Sequence, residues 1–306
     1  MAFELQRGRG IGAEIRRLLD RQLEAAVEAL TGPSIAAHDA RRRLKKARAL
    51  LLLARPALNG DYRAANRRLR TANHLLGAFT DADAVVETLA NFRGFDVCRL
   101  PAQSLSAIRQ RLLENSAEQK AAAAFLPVRA RVVRLLTKQR ARLRESSLSA
   151  CGVSTTAAML RKAHRAARIA RDHALARPSV PAIHAWRRRT KMEWHLFRLI
   201  GDGVGGRLVD DERRLETLDG CLGDLHDIAV LQQHLVGLSP LTRPQTAAAL
   251  RVTRDRARDL TRRARLLADA QDEPPRELEA RVLALWRSGL PLPAEPAEAV
   301  PWPHHA

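Results

Sequence analysis

Apolar and polar side chains follow one another in a helical order along nearly the whole chain. No segment alternates Val, Ile, Thr or aromatic residues with polar ones over the length of a strand. Leu, Ala, Arg and Glu dominate instead, and these residues favour helices. We therefore predict an all-α fold. The predicted helices span residues 10–30, 34–56, 61–92, 103–125, 127–146, 154–177, 181–200, 205–237, 244–270 and 276–289.

Proline, glycine and serine mark the ends of these helices. Ser34 and Ser179 each follow a proline between two predicted helices, and each is expected to cap the helix that comes next. Four glycines between 201 and 206 require a loop. The Pro-rich tail at 291–306 contains five prolines, and we expect it to be disordered or extended.

Two basic segments led by a histidine repeat at a fixed distance. Residues 38–45 read HDARRRLK and residues 184–191 read HAWRRRTK, an offset of 184 − 38 = 146. The same offset relates Arg67 and Arg68 to Arg213 and Arg214, Leu76 and Gly77 to Leu222 and Gly223, and Asp81 to Asp227. We predict two four-helix-bundle-like repeats, about 1–146 and 147–290, related by a pseudo-two-fold axis. The boundary between the repeats falls near 147–153.

Each repeated segment forms a cationic stripe, because spacings of three and four residues place side chains on one helical face. The first stripe contains His38, Arg41, Lys45 and Arg48, and the second contains His184, Arg187 and Lys191. Like charges at these spacings repel by a few tenths of a kcal/mol per pair, so a multivalent anion is the natural compensation. The alternative is a solvated charged face. The histidines either contact the ligand or support the structure.

The other faces of the same helices carry Leu44, Leu51, Trp186 and Phe197, which are expected to pack in the core.

The repeated Leu-Gly pair also has a structural interpretation. A glycine inside a helix costs about 1 kcal/mol relative to alanine and is tolerated where a neighbour approaches closely. The aspartate one turn later, Asp81 or Asp227, can pair with an Arg or His of that neighbour. A cation site formed by paired aspartates is the weaker interpretation, because no third ligand is suitably spaced.

The charge balance is strongly basic. The 306 residues include 53 Lys and Arg and 33 Asp and Glu, which gives a net charge of +20 and a pI near 11.4. Such a field attracts nucleic acid, an acidic membrane surface or a phosphate polymer, and charge alone does not choose among them.

The three cysteines form no C-x-x-C pair, so we expect neither a disulfide framework nor a zinc cluster.

Nothing in the sequence predicts a membrane protein. Residues 1–7 contain no apolar core of a signal peptide, and the longest apolar stretch, 49–54, is too short to span a bilayer. We expect a cytoplasmic protein without a cofactor or a bound metal.

The two stripes, each followed by Leu-Gly and Asp, resemble the CHAD domain (conserved histidine α-helical domain) over about residues 1–290. The resemblance implies two four-helix bundles with a basic cavity between them, binding of inorganic polyphosphate and association with polyphosphate granules. Sulfate or phosphate ions are expected to occupy the same groups in crystals. The ligand-facing residues that the resemblance implies are His38, Arg41, Arg42, Lys45, Lys46, Arg48, His184, Arg187, Arg188, Lys191 and His195, with Arg67, Arg68, Arg213 and Arg214 as further candidates.

Two departures from the family pattern limit what the resemblance implies. Thr80 and His226 stand where family members often have Arg, which places a phosphate role for that position in doubt. A CYTH domain, to which CHAD domains are often fused, has no counterpart here, so we expect a stand-alone CHAD protein that is not an enzyme.

Two other functions remain open. The first is non-specific nucleic-acid binding, although an aromatic content of 4% argues against base stacking. The second is a phosphohydrolase or phosphoryl carrier that uses His38 or His184, although the sequence has no P-loop.

Overall fold

The computed structural model describes residues 3–6, 8–32, 36–77, 125–237, 243–270 and 272–288, and the single positions 106, 110, 113 and 114. Nine α-helices are bounded within these residues, which include no strand, so the predicted all-α class is confirmed. The helices are α1 (Ile11–Thr31), α2 (Ala37–Leu58), α3 (Asp61–Gly77), α4 (Phe125–Glu145), α5 (Val153–Ala176), α6 (Val180–Ile200), α7 (Val209–Gly237), α8 (Arg243–Asp269) and α9 (Pro275–Ser288). A 3₁₀ turn at Asp202–Val204 links α6 to α7.

The ends of α5 and α6 lie close to their predicted positions, whereas α7 begins at Val209, four residues after the predicted 205. Helices α5 and α6 begin and end within one residue of the predicted 154–177 and 181–200. Ser179 caps α6 as predicted, since its side chain accepts a hydrogen bond from the Ala182 amide at 3.3 Å.

The predicted beginning of α2 at residue 34 was wrong, and Ser34 itself lies outside the described residues. This helix begins after Ala36, two residues beyond Ser34, and the Ala36 amide donates to the Ala29 carbonyl of α1 at 2.8 Å. That hydrogen bond ties the beginning of α2 to the preceding helix. The predicted helix 103–125, apart from isolated positions, the end of 61–92 beyond residue 77 and the tail 291–306 lie outside the described residues.

The first four helices form a closed ring in which α1 contacts α2, α2 contacts α3, α3 contacts α4 and α4 contacts α1. Each contributes leucines that are at most 1% exposed to a common interior. Leu18, Leu50, Leu69 and Leu136 are examples, one from each helix. Burial of these apolar faces is what holds the ring together.

Helices α5, α6, α7 and α8 contact one another in chain order, and α9 packs against α5. A smaller core formed by α5, α6, α7 and α8 contains Trp186, Leu222 and Leu260. Helix α9 also lies against the 3₁₀ turn, where Gly203 makes room for Trp286. A Cβ atom at position 203 would lie 2.4 Å from the indole ring.

Helix α2 joins the two groups, because it packs against both α5 and α6. Leu50 of α2 belongs to the same buried cluster as Leu160 of α5 and Leu196 of α6. The helices that carry the two cationic stripes are therefore neighbours in the folded chain.

Candidate anion-binding site

The apolar faces of α2 and α6 determine where their cations lie. Leu44, Leu51, Trp186 and Phe197 are at most 3% exposed, which confirms their predicted place in the core. With those faces buried, the basic side chains of each helix lie toward neighbouring helices or toward solvent.

Helices α2 and α6 are in contact, and four of their cations are close enough for the other three to act on Lys45. We call these four the cationic cluster: Arg41 and Lys45 on α2 with Arg187 and Lys191 on α6. Burial is the main influence on Lys45, and the positive charges of Lys191, Arg41 and Arg187 add to it. Together they lower the pKa of the Lys45 ammonium to about 8. The contact between α2 and α6 therefore brings the two stripes close enough for their charges to act on one another.

Basic residues beside the cluster extend it along both helices. Burial and positive neighbours, including Arg188 and Arg189 of α6, lower the pKa of Arg48 on α2. Burial lowers the pKa of Lys46, and the charge of Arg198 on α6 lowers it further. The Lys46 ammonium lies 5.0 Å from the centre of the Phe3 ring, a cation–π distance.

Helix α7 supplies partners to the cations of α6. Lys191 forms an ion pair with Asp219, and the Arg187 guanidinium lies 3.5 Å from an Asp227 oxygen. A Cβ atom at Gly223 would lie 3.3 Å from the same guanidinium. The predicted role of the Leu-Gly and Asp element, a close approach with an orienting carboxylate, is therefore confirmed in the second half. Asp81 of the first half lies outside the described residues.

The predicted histidines occupy three different environments. His38 is exposed, whereas His184 is half-buried with its ring 4.7 Å from that of His226 on α7. Burial is the main influence that lowers the pKa of His184 to about 4. The charges of its neighbours add to this effect, His226 most and the nearby arginines next. His195 is only 4% exposed and stacks on Trp194, with ring centroids 4.9 Å apart.

Burial and the nearby lysines lower the pKa of His195 to about 3. Neither ring nitrogen has a hydrogen-bond partner among the residues that the structure describes. His195 and His184 are therefore uncharged at neutral pH. A ligand reaches His195 only if the side chains that cover it move.

The other predicted cations lie on separate surfaces or hold neighbouring helices. Arg42 is 60% exposed and pairs with Asp39 on its own helix, and Arg188 and Arg67 are exposed. Arg68 donates to the Gln139 amide oxygen of α4 at 2.9 Å. The corresponding contacts in the second half are Arg213 with Asp210 at 3.6 Å and Arg214 with the Ala270 carbonyl at 3.3 Å.

Several residues that shape the site were not predicted. Asp219 lies eight residues before Asp227 in the same helix. An acidic residue close to the predicted Asp227 is therefore the signal by which the sequence could have indicated it. Phe3 and Glu212 reach α2 and α6 from distant positions, and no local signal indicates those contacts. The buried pair of His164 and Glu193 also escaped prediction, because its members lie on different helices.

Among the described residues, no group of three or more His, Cys, Asp or Glu side chains is arranged to hold a metal ion. None of the helices within the described ranges has both the length and the apolar character needed to cross a membrane.

Comparison with known proteins identifies one family. A family model for the CHAD domain matches residues 13–236, which lie between the beginning of α1 and the end of α7. A search of curated proteins gives no match.

Proposed function

Because the chain belongs to the CHAD domain family, we propose that it binds inorganic polyphosphate through the cationic cluster between α2 and α6. The observation that carries the proposal is the contact between α2, which carries Arg41 and Lys45, and α6, which carries Arg187 and Lys191. Four positive charges held together at a helix contact repel one another, and a polyanion relieves that repulsion.

Polyphosphate matches the chemistry of the cluster. Its chain offers non-ester oxygens at every phosphorus, which suit the forked donors of arginine and the compact charge of lysine. Since Lys45 is half-buried in the free protein, part of its desolvation cost has already been met before the ligand arrives. Binding should weaken steeply with salt, as it does when other polyanions release counterions.

We further propose that the cluster lines a basic cavity between two repeats related by a pseudo-two-fold axis. Two features support this arrangement. Lys45 and Lys191 occupy the same position of their repeats and act on one another across the contact. The contacts of α1 with α2 and of α2 with α3 are also matched by those of α5 with α6 and of α6 with α7.

The decisive experiment is a binding titration with long-chain polyphosphate. We expect the double variant Arg41→Glu and Arg187→Glu to lose affinity by about 100-fold or more, since each substitution removes a charge-assisted contact. The matched control is Arg63→Glu with Arg165→Glu, which changes the net charge equally at exposed positions of α3 and α5. Equal losses in the two double variants would contradict a site at the cluster.

We propose that this binding is not catalytic and that it associates the protein with polyphosphate granules. The titrated samples provide the test, because hydrolysis would release orthophosphate. Orthophosphate release that His38→Ala or His184→Ala abolishes would establish an enzyme instead.

A further inference from the structure

The two halves of the cationic cluster differ in how their charges are compensated. Each of three cations on α6 lies near a carboxylate of α7. These pairs are Lys191 with Asp219, Arg187 with Asp227 at 3.5 Å and Arg198 with Glu212 at 3.8 Å.

Helix α3 stands in the corresponding place beside α2 but offers amides at two of these positions. With the offset of 146 residues, Asn66 corresponds to Glu212 and Asn73 corresponds to Asp219. Asn66 accepts a hydrogen bond from the Arg48 guanidinium at 3.0 Å. The Asn73 side-chain oxygen is buried and accepts no hydrogen bond from the part of the chain that the structure describes. Two positions that are acidic in α7 are thus neutral in α3.

Lys45 and Lys191 occupy the same position of their repeats, but their charges are compensated differently. Lys191 is paired with Asp219, which is itself only 11% exposed. Lys45 forms no hydrogen bond or ion pair with any described residue. Its ammonium is half-buried among positive neighbours, with the carboxylate of Asp219 as a weaker opposing influence.

From this difference we infer that the site is asymmetric: Lys45 contributes more to anion binding than Lys191, because the residue of α3 that corresponds to Asp219 is the neutral Asn73, while Asp219 is paired with Lys191. The inference rests on the proposed polyphosphate binding and specifies which of the two equivalent lysines contributes more to it. Asn73 and Asp219 act through the lysines and are positioning residues.

The physical reason lies in what each lysine exchanges when the ligand arrives. Lys191 must give up a carboxylate to bind a phosphate oxygen, so one charge-assisted contact replaces another with little net gain. Lys45 is partly desolvated without a carboxylate partner among the described residues, so a phosphate oxygen adds a contact that was missing.

The test changes Asn73 and Asp219, the residues that we infer to set the charge beside the two lysines, and leaves the lysines themselves in place. We expect Asn73→Asp to weaken polyphosphate binding by about tenfold, because position 73 corresponds to Asp219 and a carboxylate there should compensate Lys45 as Asp219 compensates Lys191. Asp219→Asn should strengthen binding, because it releases Lys191. The double variant with both changes has the net charge of the natural protein, and its affinity should return to within about threefold of the natural value.

The control for net charge is Thr137→Asp, which adds one negative charge at an exposed position of α4. A loss of affinity in Asn73→Asp no greater than that in Thr137→Asp would overturn the inference while leaving the proposed function intact. If the natural protein itself fails to bind polyphosphate, the proposed function fails first.

A pH profile separates charge compensation from structural damage. Several charged or titratable groups surround Lys45: Arg41 on its own helix, His184, Arg187 and Lys191 on α6, and Asp219 on α7. With the pKa of Lys45 lowered to about 8, the affinity of the natural protein should fall as the pH rises through that value. In Asn73→Asp the new carboxylate raises this pKa, so the decline should move to higher pH. An unchanged decline contradicts the inference.

Direct removal of the lysine provides a second measurement if Asn73→Asp does not fold. We expect Lys45→Gln to lose about tenfold in affinity. The double variant Lys191→Gln with Asp219→Asn removes the compensated pair at no change in net charge, and its loss should be clearly smaller. Equal losses, or a larger one in the double variant, would overturn the asymmetry.

Discussion

Arg187 meets α7 at a point where that helix has no side chain. The guanidinium lies beside Gly223, and Asp227 holds it from one turn further along. The glycine provides space and the carboxylate provides direction, so the two residues together aim Arg187. Such aiming matters because an arginine recognises phosphate oxygens through a planar fork rather than as a point charge.

A side chain at position 223 should therefore disturb binding. We expect Gly223→Val to reduce polyphosphate affinity by about tenfold, because its methyl groups displace the Arg187 guanidinium. Gly220→Val is the matched control, since Gly220 is exposed on the same helix and a Cβ atom there would meet nothing within 4 Å. A titration in which both variants bind alike would exclude this role for Gly223.

At the scale of the helices, a buried histidine connects three elements of the second half. His164 of α5 donates from Nδ1 to Glu193 of α6 at 2.6 Å and from Nε2 to the Glu273 carbonyl at 2.8 Å. Glu273 lies in the connection between α8 and α9. Because a carboxylate and a carbonyl only accept hydrogen bonds, this arrangement favours the doubly protonated, positively charged form of His164.

This arrangement predicts a stability that depends on pH. Burial alone would lower the pKa of His164, but the hydrogen bond and charge of Glu193 outweigh it and raise the pKa above its usual 6.5. A raised pKa in the folded state stabilises the protein fully below the unfolded value. The contribution is lost as the pH rises through the folded-state pKa.

We expect His164→Gln to lower the free energy of unfolding by about 3 kcal/mol below pH 6.5. The difference from the natural protein should shrink as the pH rises, when the natural histidine loses its proton too. Denaturant titrations of both proteins from pH 5 to pH 10 provide the measurement. A difference that is constant with pH would show that His164 contributes packing rather than charge.

At the scale of the whole molecule, two electrostatic effects act over different distances. The net charge of +20 attracts any polyanion, and salt screens that attraction beyond about 10 Å at 0.1 M. The cationic cluster acts only on a ligand that reaches the contact between α2 and α6. We therefore propose that the net charge attracts polyanions in general, whereas the cluster selects among them.

Competition between polyanions separates these effects. We expect polyphosphate to displace DNA from the protein at low concentration, while DNA fails to displace polyphosphate. A duplex has a wide, stiff backbone that suits an exposed surface, whereas a single phosphate chain can enter a narrow contact between helices. Fluorescently labelled DNA and polyphosphate, each competed with the other, provide the measurement. Displacement of polyphosphate by DNA at equal phosphate concentrations would favour a nucleic-acid-binding protein.

Much of the fold followed from local patterns. The periodicity of apolar residues located α5 and α6 to within one residue, because side chains one turn apart must share a face whatever surrounds the helix. The beginning of α2 was missed, because the hydrogen bond from Ala36 to Ala29 depends on how two helices pack. Capping preferences describe a helix end in isolation, and a tertiary contact can override them.

The sequence by itself determined that two equivalent helices each carry a cationic stripe opposite an apolar face. It also determined the spacing of the glycine and the aspartate that serve Arg187. Both results depend only on helical geometry, which the chain specifies residue by residue.

Only the tertiary structure decided that the stripes meet at the contact between α2 and α6, that His195 is buried, and that Arg68 and Arg214 hold neighbouring helices. It also decided that Asp219 forms an ion pair with Lys191, whereas Lys45 forms no ion pair with a described residue. These outcomes depend on the positions of helices relative to one another. Packing of their apolar faces sets those positions, and no spacing within a single helix encodes them.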